Sequence, residues 1–146
     1  MSLPLPEGHE ANLRPRFKSV EHVLSGRGLA NLHSALGEDA AALEAVDICS
    51  RSSSDPKCAA TLRFFTQIAG DVLGNLALAV AAWDGVFLLG SVAKGFAGVA
   101  DHARFRGAFE DKGAISEWMK RIPVALVEKQ NAALFGLAAL PIRPQP

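Results

Sequence analysis

The run from Asp55 to Ala79 constrains the fold most. Asp55-Pro56 is a helix start: an acid for the N-cap, then a proline in the first turn, where no amide hydrogen is needed. Leu62, Phe65, Ile68, Val72, Leu76 and Leu78 or Ala79 then recur every three or four residues, which is one face of an α-helix. Gly70 and Gly74 fall one turn apart inside this run. Each weakens a helix by about 1 kcal/mol relative to alanine. Two of them on one face mark a place where another backbone packs closely. The segment is expected to be the central buried helix.

Other elements must surround such a helix. Val20 to Leu24 is a short apolar piece ended by Ser25-Gly26. Leu29, Leu32 and Leu36 fall at helical spacing, and Gly37 sits where a C-terminal cap belongs. Residues 38–50 carry Ala41, Leu43, Ala45, Val46 and Ile48 among acids and predict a second helix, followed by a linker from Arg51 to Ser54. Beyond the long helix, Asp84-Gly85 reads as a turn. Val86 to Leu89, bulky and bounded by glycines, reads as a buried strand.

Lys94 to about His102 is compatible with a helix, Phe109 to Gly113 forms a charged turn, and Ser116 to Arg121 makes a short helix. Pro123 to Val127 reads as a second strand, with proline at its first residue, where a missing donor is tolerated. Asn131 is expected to cap a last helix through Leu140, ahead of a proline-rich tail. Residues 1–18, rich in proline and charge, read as a leading loop or incomplete segment, and residues 19–146 as the folded region. The order is α/β in kind, with too few strands for a complete sheet. That is the pattern of part of a larger α/β domain.

Composition narrows the function. At 146 residues and 49% apolar, the chain suits one compact domain. Lys+Arg and Asp+Glu are both 15, and no basic cluster stands out, which argues against nucleic-acid partners. Residues 72–90 are apolar apart from Asn75 and Asp84, but a carboxylate beside Gly85 is costly in lipid, so two buried elements are expected rather than a membrane span. Cys49 and Cys58 fit no common zinc spacing and read as free thiols of a reducing compartment. The N-terminus lacks a signal peptide pattern, and a cytoplasmic protein is expected.

Few residues carry a chemical signal. In "DGVFLLGSVAKGF", residues 84–96, Gly90-Ser91 ends an apolar run before helix-forming residues. It is neither a P-loop nor a G-x-G-x-x-G fingerprint. A plain strand-to-helix turn and a turn that approaches a ligand both fit. Glu21 stands between Val20 and Val23-Leu24. A carboxylate in a cleft accepts paired hydroxyl hydrogen bonds, as sugars require, whereas a solvent-facing glutamate fits the same pattern. Ser25 has no identifiable triad partner, and His33 and His102 lack partners at metal spacing. The charged turn Glu110 to Gly113 reads as a solvated loop, and Trp83 and Trp118 as core or interface anchors.

Four stretches together resemble the bacterial glucokinases. "VEHVLSGRGLANLHSAL" is similar to their VLSGPGLxNLY stretch, and "GNLALAVAAWDGVFLLGSV" to their GNLAL and GGVFIAGGI strings. "FRGAFEDKGAISEWMKRIPVALV" resembles their FRxAFEDKGRF and IPVYLI strings, and "NAALFGLAAL" their terminal NPGLLGxA helix. The order and gaps agree from about residue 19 to 140.

The resemblance implies the C-terminal, helix-rich, strand-poor α/β portion of a ribonuclease H-like, actin-like ATPase sugar kinase. It implies glucose and ATP as partners, Mg2+ as the metal of the intact family enzyme, and transfer of the γ-phosphate to the 6-hydroxyl of glucose at the entry to glycolysis. By this resemblance Glu21 contacts sugar hydroxyls, and Gly90 and Ser91 match the two glycines of the adenosine motif. Arg27, Ser91 and Lys94-Gly95 depart from the family's Pro, Gly and Pro-Arg. The family's phosphate loops and its Asn-Asp catalytic pair are not among these residues, and Glu7-Gly8-His9 is a partial match to its Glu-Gly-Gly-His sugar motif. The chain alone is therefore expected to be inactive, joined by self-association or by an N-terminal part. The alternative is a non-catalytic remnant acting as an interaction or dimerisation module.

Overall fold

The computed structural model describes residues 19–37 and 43–140. The expected leading segment 1–18, with Glu7-Gly8-His9, lies outside the described residues, as do the first part of the helix expected over 38–50 and the tail 141–146.

The described elements run α1 (Val20–Val23), α2 (Gly26–Leu36), α3 (Ala45–Arg51), α4 (Pro56–Ala79), β1 (Val86–Leu88), α5 (Ser91–Ala97), α6 (His102–Glu110), a 3-10 turn (Gly113–Ile115), α7 (Ser116–Met119), β2 (Val124–Leu126) and α8 (Ala132–Ala138). The α4 helix begins as its sequence dictates. The Asp55 carboxylate accepts the N–H groups of Lys57 and Cys58 at 2.8 and 3.4 Å, with Pro56 in the first turn. Helices α2, α3 and α6 surround it, and α6 makes the most extensive contact.

Gly70 and Gly74 allow that contact. A Cβ on Gly70 would lie 2.5 Å from the Phe105 carbonyl oxygen, and one on Gly74 would overlap the Phe109 carbonyl. The close backbone approach expected from their spacing is therefore the α4–α6 crossing. Phe65, Ile68, Val72, Phe105, Phe109 and Met119 fill the core around it.

Several boundaries differ from expectation. Helix α3 begins at Ala45, after Leu43 and Glu44, and Glu44 and Asp47 form a capping box there. The helix expected over Lys94–His102 is two helices. The first starts earlier, at Ser91, and the chain breaks after Ala97. The Asp101 carboxylate then caps α6 through the Arg104 N–H at 2.9 Å. Side-chain capping at Asp101 competes with helix continuation, which propensity along 94–102 does not show. Asn131 does stand at the start of α8, but in the left-handed conformation and with no side-chain cap bond.

The strands pair in parallel, with Val86, Phe87 and Leu88 opposite Val124, Ala125 and Leu126. Helices α5, α6 and α7 form the crossover between them. Arg106 on α6 sets the entry to β2: its guanidinium donates to the Ile122 carbonyl at 3.0 Å and to Glu110 at 2.7 Å. The sheet is not buried as expected. Val86, Leu88, Val124 and Leu126 are half-buried, while Phe87 is 62% exposed and Ala125 is exposed. Trp83 and Trp118, at 52% and 61% exposure, are not core residues. No helix among the described residues is long and apolar enough to cross a membrane.

Candidate functional site

Gly90 leaves β1 with φ 102° and ψ 173°. This conformation is open essentially to glycine alone. A Cβ added there would meet nothing within 4 Å. The glycine is thus required by the turn's own backbone angles, and the side where a Cβ would stand is open space. Ser91, the next residue, has no such demand. It is the first residue of α5, exposed, and absent from the residues with positive φ. A Cβ at this position is therefore compatible with the backbone.

Ser91 is one of the residues lining an apolar groove of about 360 Å³. Val92, Gly95 and Phe96 of α5 line one wall, and Val46 and Cys49 of α3 line the other. Phe96 packs edge-to-face on Phe65 of α4, 5.2 Å between ring centroids, which fixes the groove floor. The α3 wall was not found from sequence. Its signal was Val46, an apolar residue left 76% exposed on a short helix. Burial pushes the Cys49 thiol above its ordinary pKa, so it lines the groove as a neutral apolar group. Burial, then the hydrogen bond with Asp55, raises Cys58 likewise.

The other candidate, Glu21, lies on α1. Val23 is fully buried and anchors that turn, which leaves Glu21 and His22 exposed. Among the described residues no hydrogen bond or ion pair engages the Glu21 carboxylate. Ser19 caps α1, and the Ser25 hydroxyl caps α2 by accepting the Gly28 N–H at 3.0 Å. That use of Ser25 is structural. Gly28 is needed because α2 starts against α1: a Cβ there would overlap the Val23 carbonyl. Arg27, in the first turn of α2, is exposed.

The Glu21 stretch and the Gly90 stretch converge where α2 begins. A Cβ on Gly26 would lie 3.6 Å from Val92 Cγ2 and 3.8 Å from Ala45 Cβ. The fold therefore brings the starts of α2, α3 and α5 together at the groove. Lys94, at the family's departure, donates to the Glu128 carbonyl at 2.7 Å and ties α5 to the chain after β2. His33 is buried, and its Nδ1 lies 2.9 Å from Thr61 Oγ1. Among the described residues no group of three His, Cys, Asp or Glu is placed to hold a metal. The groove is lined mainly by apolar side chains.

The chain is 37% identical over 132 residues to a glucokinase of Nitrobacter hamburgensis, covering 86% of this chain and 41% of that protein. It is 39% identical over 126 residues to a glucokinase of Xanthomonas campestris pv. campestris, covering 83% and 38%. The crystal structure of a glucokinase from an Antarctic psychrotroph superposes with a TM-score of 0.81 at 30% identity, over 95% of this chain and 47% of that one. The chain spans about two fifths of the length of the curated relatives it matches, in their C-terminal part. The helix-rich architecture with two parallel strands is that portion of the sugar-kinase fold. The glucokinase family model itself matches residues 11–142, nearly the whole chain, and the chain belongs to that family.

Proposed function

We propose that this chain forms the C-terminal part of an ATP-dependent glucokinase, which transfers the γ-phosphate of ATP to the 6-hydroxyl of glucose. The observation that carries the reading is the Gly90 turn. It has glycine-only backbone angles, an open side, and an apolar groove lined in part by the next residue. In this reading the adenosine lies along Gly90 and Ser91, with Val46, Val92 and Phe96 as its apolar walls. Glu21 accepts hydrogen bonds from two sugar hydroxyls, a role its exposed and unengaged carboxylate is free to fill. Phosphoryl transfer of this kind depends on positioning and charge neutralisation. The base and the magnesium-phosphate contacts would come from the rest of the fold.

The test is a coupled glucose-phosphorylation assay on the 146-residue chain, alone and fused behind the N-terminal portion of the Xanthomonas campestris relative. The chain alone is expected to be inactive and the fusion active. In the fusion, Glu21→Gln is expected to raise KM for glucose at least tenfold, about 1.4 kcal/mol of lost sugar binding. An unchanged KM for glucose removes Glu21 from the site. A fusion that folds but neither binds ATP nor phosphorylates glucose rejects the reading.

A second reading is favoured by the exposed side chains of Phe87, Trp83 and Trp118. It takes the chain as a non-catalytic interaction or dimerisation module, since apolar surface of this kind is normally covered. Light scattering that finds a stable monomer, together with no hydrophobic-dye binding, rules it out.

A further inference from the structure

Gly95 is a helix glycine that neither packing nor backbone angles explain. Glycine inside a helix is less stable than alanine. At Gly70 and Gly74 the close α4–α6 crossing accounts for it, and Gly90 is required by its positive φ. Gly95, inside α5, has neither reason: its φ is not positive, and a Cβ there would meet nothing within 4 Å. Gly107 and Gly136 are equally unhindered, but neither lines the apolar groove beside Ser91, and Gly95 does. What its missing side chain leaves open is groove space.

Its place along α5 gives that space a use. Gly95 follows Ser91 by one turn on the same helix face, about 6 Å at 1.5 Å per residue. A purine whose ribose lies at Gly90 and Ser91 therefore brings the far edge of its ring, which carries N6, against Gly95. The groove continues past that edge, since Val99, beyond the end of α5, lines it too. Its volume, about 360 Å³, falls within the roughly 300–1,000 Å³ of small-molecule sites. On the α3 wall, Cys49 and Ser50 are the polar members. The Cys49 thiol is neutral, and the Ser50 hydroxyl donates to the Asp47 carbonyl at 3.0 Å. Ser50 therefore keeps only acceptor capacity, which the one N–H of an N6-substituted adenine satisfies. Such a groove selects its ring by shape.

We propose that Gly95 is a specificity-determining residue of the nucleotide groove. The space it leaves admits purine nucleotides with an apolar substituent on N6, alongside ATP. The inference rests on the adenosine placement of the glucokinase reading.

The first experiment uses the 146-residue chain, whose described residues line the groove by themselves. Cys49, in the groove wall, reports occupancy through its alkylation by N-ethylmaleimide, with buried Cys58 as the internal reference. N6-benzyladenosine is expected to slow the alkylation of Cys49 at least about threefold, and Gly95→Arg to abolish that protection. Gly95→Ala is expected to raise the Tm of the chain by about 1–4 °C. A lowered Tm shows that the glycine serves packing and overturns the proposal. An alkylation rate that the nucleoside leaves unchanged overturns it as well.

The second experiment uses the fusion behind the N-terminal portion of the Xanthomonas campestris relative. N6-benzyl-ATP is expected to replace ATP with a kcat/KM within about tenfold, and Gly95→Arg to lower the ratio of the two kcat/KM values, N6-benzyl-ATP over ATP, at least about tenfold. A fusion that uses ATP and refuses N6-benzyl-ATP, or a Gly95→Arg variant that keeps the ratio, overturns the proposal and leaves the kinase reading standing. Protection of Cys49 in the chain, beside a folded fusion that uses no nucleotide, does the reverse.

Discussion

Lys112 Nζ lies 3.2 Å from Asp71 Oδ1, joining the turn after α6 to the middle of α4. The ammonium also donates to the Ala108 carbonyl at 2.9 Å, and the side chain is only 8% exposed. Its stem crosses Gly74, where a Cβ would come within 2.7 Å of Lys112 Cε. The backbone N–H of Lys112 donates to Ser116 Oγ at 2.9 Å, which holds the turn itself. The charged turn expected to be a solvated loop is therefore an anchor between two helices. Lys112→Met removes one member of a largely buried pair and is expected to destabilise the fold by about 1–3 kcal/mol. Urea unfolding measures this. A change below about 0.5 kcal/mol would mean water replaces the pair.

The two glycines of α4 give a test of sign. Helix propensity alone favours Gly→Ala by about 1 kcal/mol. Gly70→Ala must instead displace the Phe105 carbonyl and Ala108 Cβ, which stand 2.5 and 2.9 Å from the new carbon. Backbone cannot swing aside as a side chain can. A net loss of about 1–3 kcal/mol is expected. Gly107→Ala in α6, where nothing lies within 4 Å, is expected to stabilise by up to about 1 kcal/mol. Opposite signs in parallel thermal melts are the outcome that the packing argument requires.

The His33–Thr61 pair is a buried bond between α2 and α4. Thr61 Oγ1 donates to the Lys57 carbonyl at 2.9 Å, so it accepts the His33 Nδ1–H. Nδ1 therefore carries the proton of this bond. Thr61→Val leaves this donor without an acceptor and is expected to cost about 1–3 kcal/mol. Thr61→Ser keeps the oxygen and is expected to recover most of the loss. Equal losses for both variants would trace the effect to the methyl group instead.

Asp55 makes stability depend on pH. The Lys57 N–H, donating to its carboxylate, holds the pKa below the ordinary value against an opposing desolvation. A lowered folded pKa means that the contribution is present above the unfolded value of about 3.9 and is lost as pH falls through the folded one. Asp55→Asn keeps a capping oxygen but cannot titrate. Its stability is expected to fall less than that of the parent chain between about pH 5 and 2. Parallel denaturation series across that range compare the two slopes, and equal slopes would exclude the cap as a source of acid sensitivity.

Signals carried within a few residues were legible in the sequence. Asp55-Pro56 starts α4 because cap and proline act inside one turn, and Gly70 with Gly74 revealed a close crossing without naming the partner. The strand at residue 86 and a turn at Gly90 were readable for the same reason: the apolar run and the glycine act locally. What reads alike locally but differs in its distant partners was not legible. α6 was not expected as a helix, since its start depends on Asp101 breaking the chain away from α5. Lys112 looked solvated because Asp71, which draws it inward, is 41 residues away. The α3 wall of the groove arises where three helix starts meet at Gly26. β1, apolar on both faces, was expected to be buried. Burial depends on what packs against each face, and here helices cover one face while Phe87 stands open on the other.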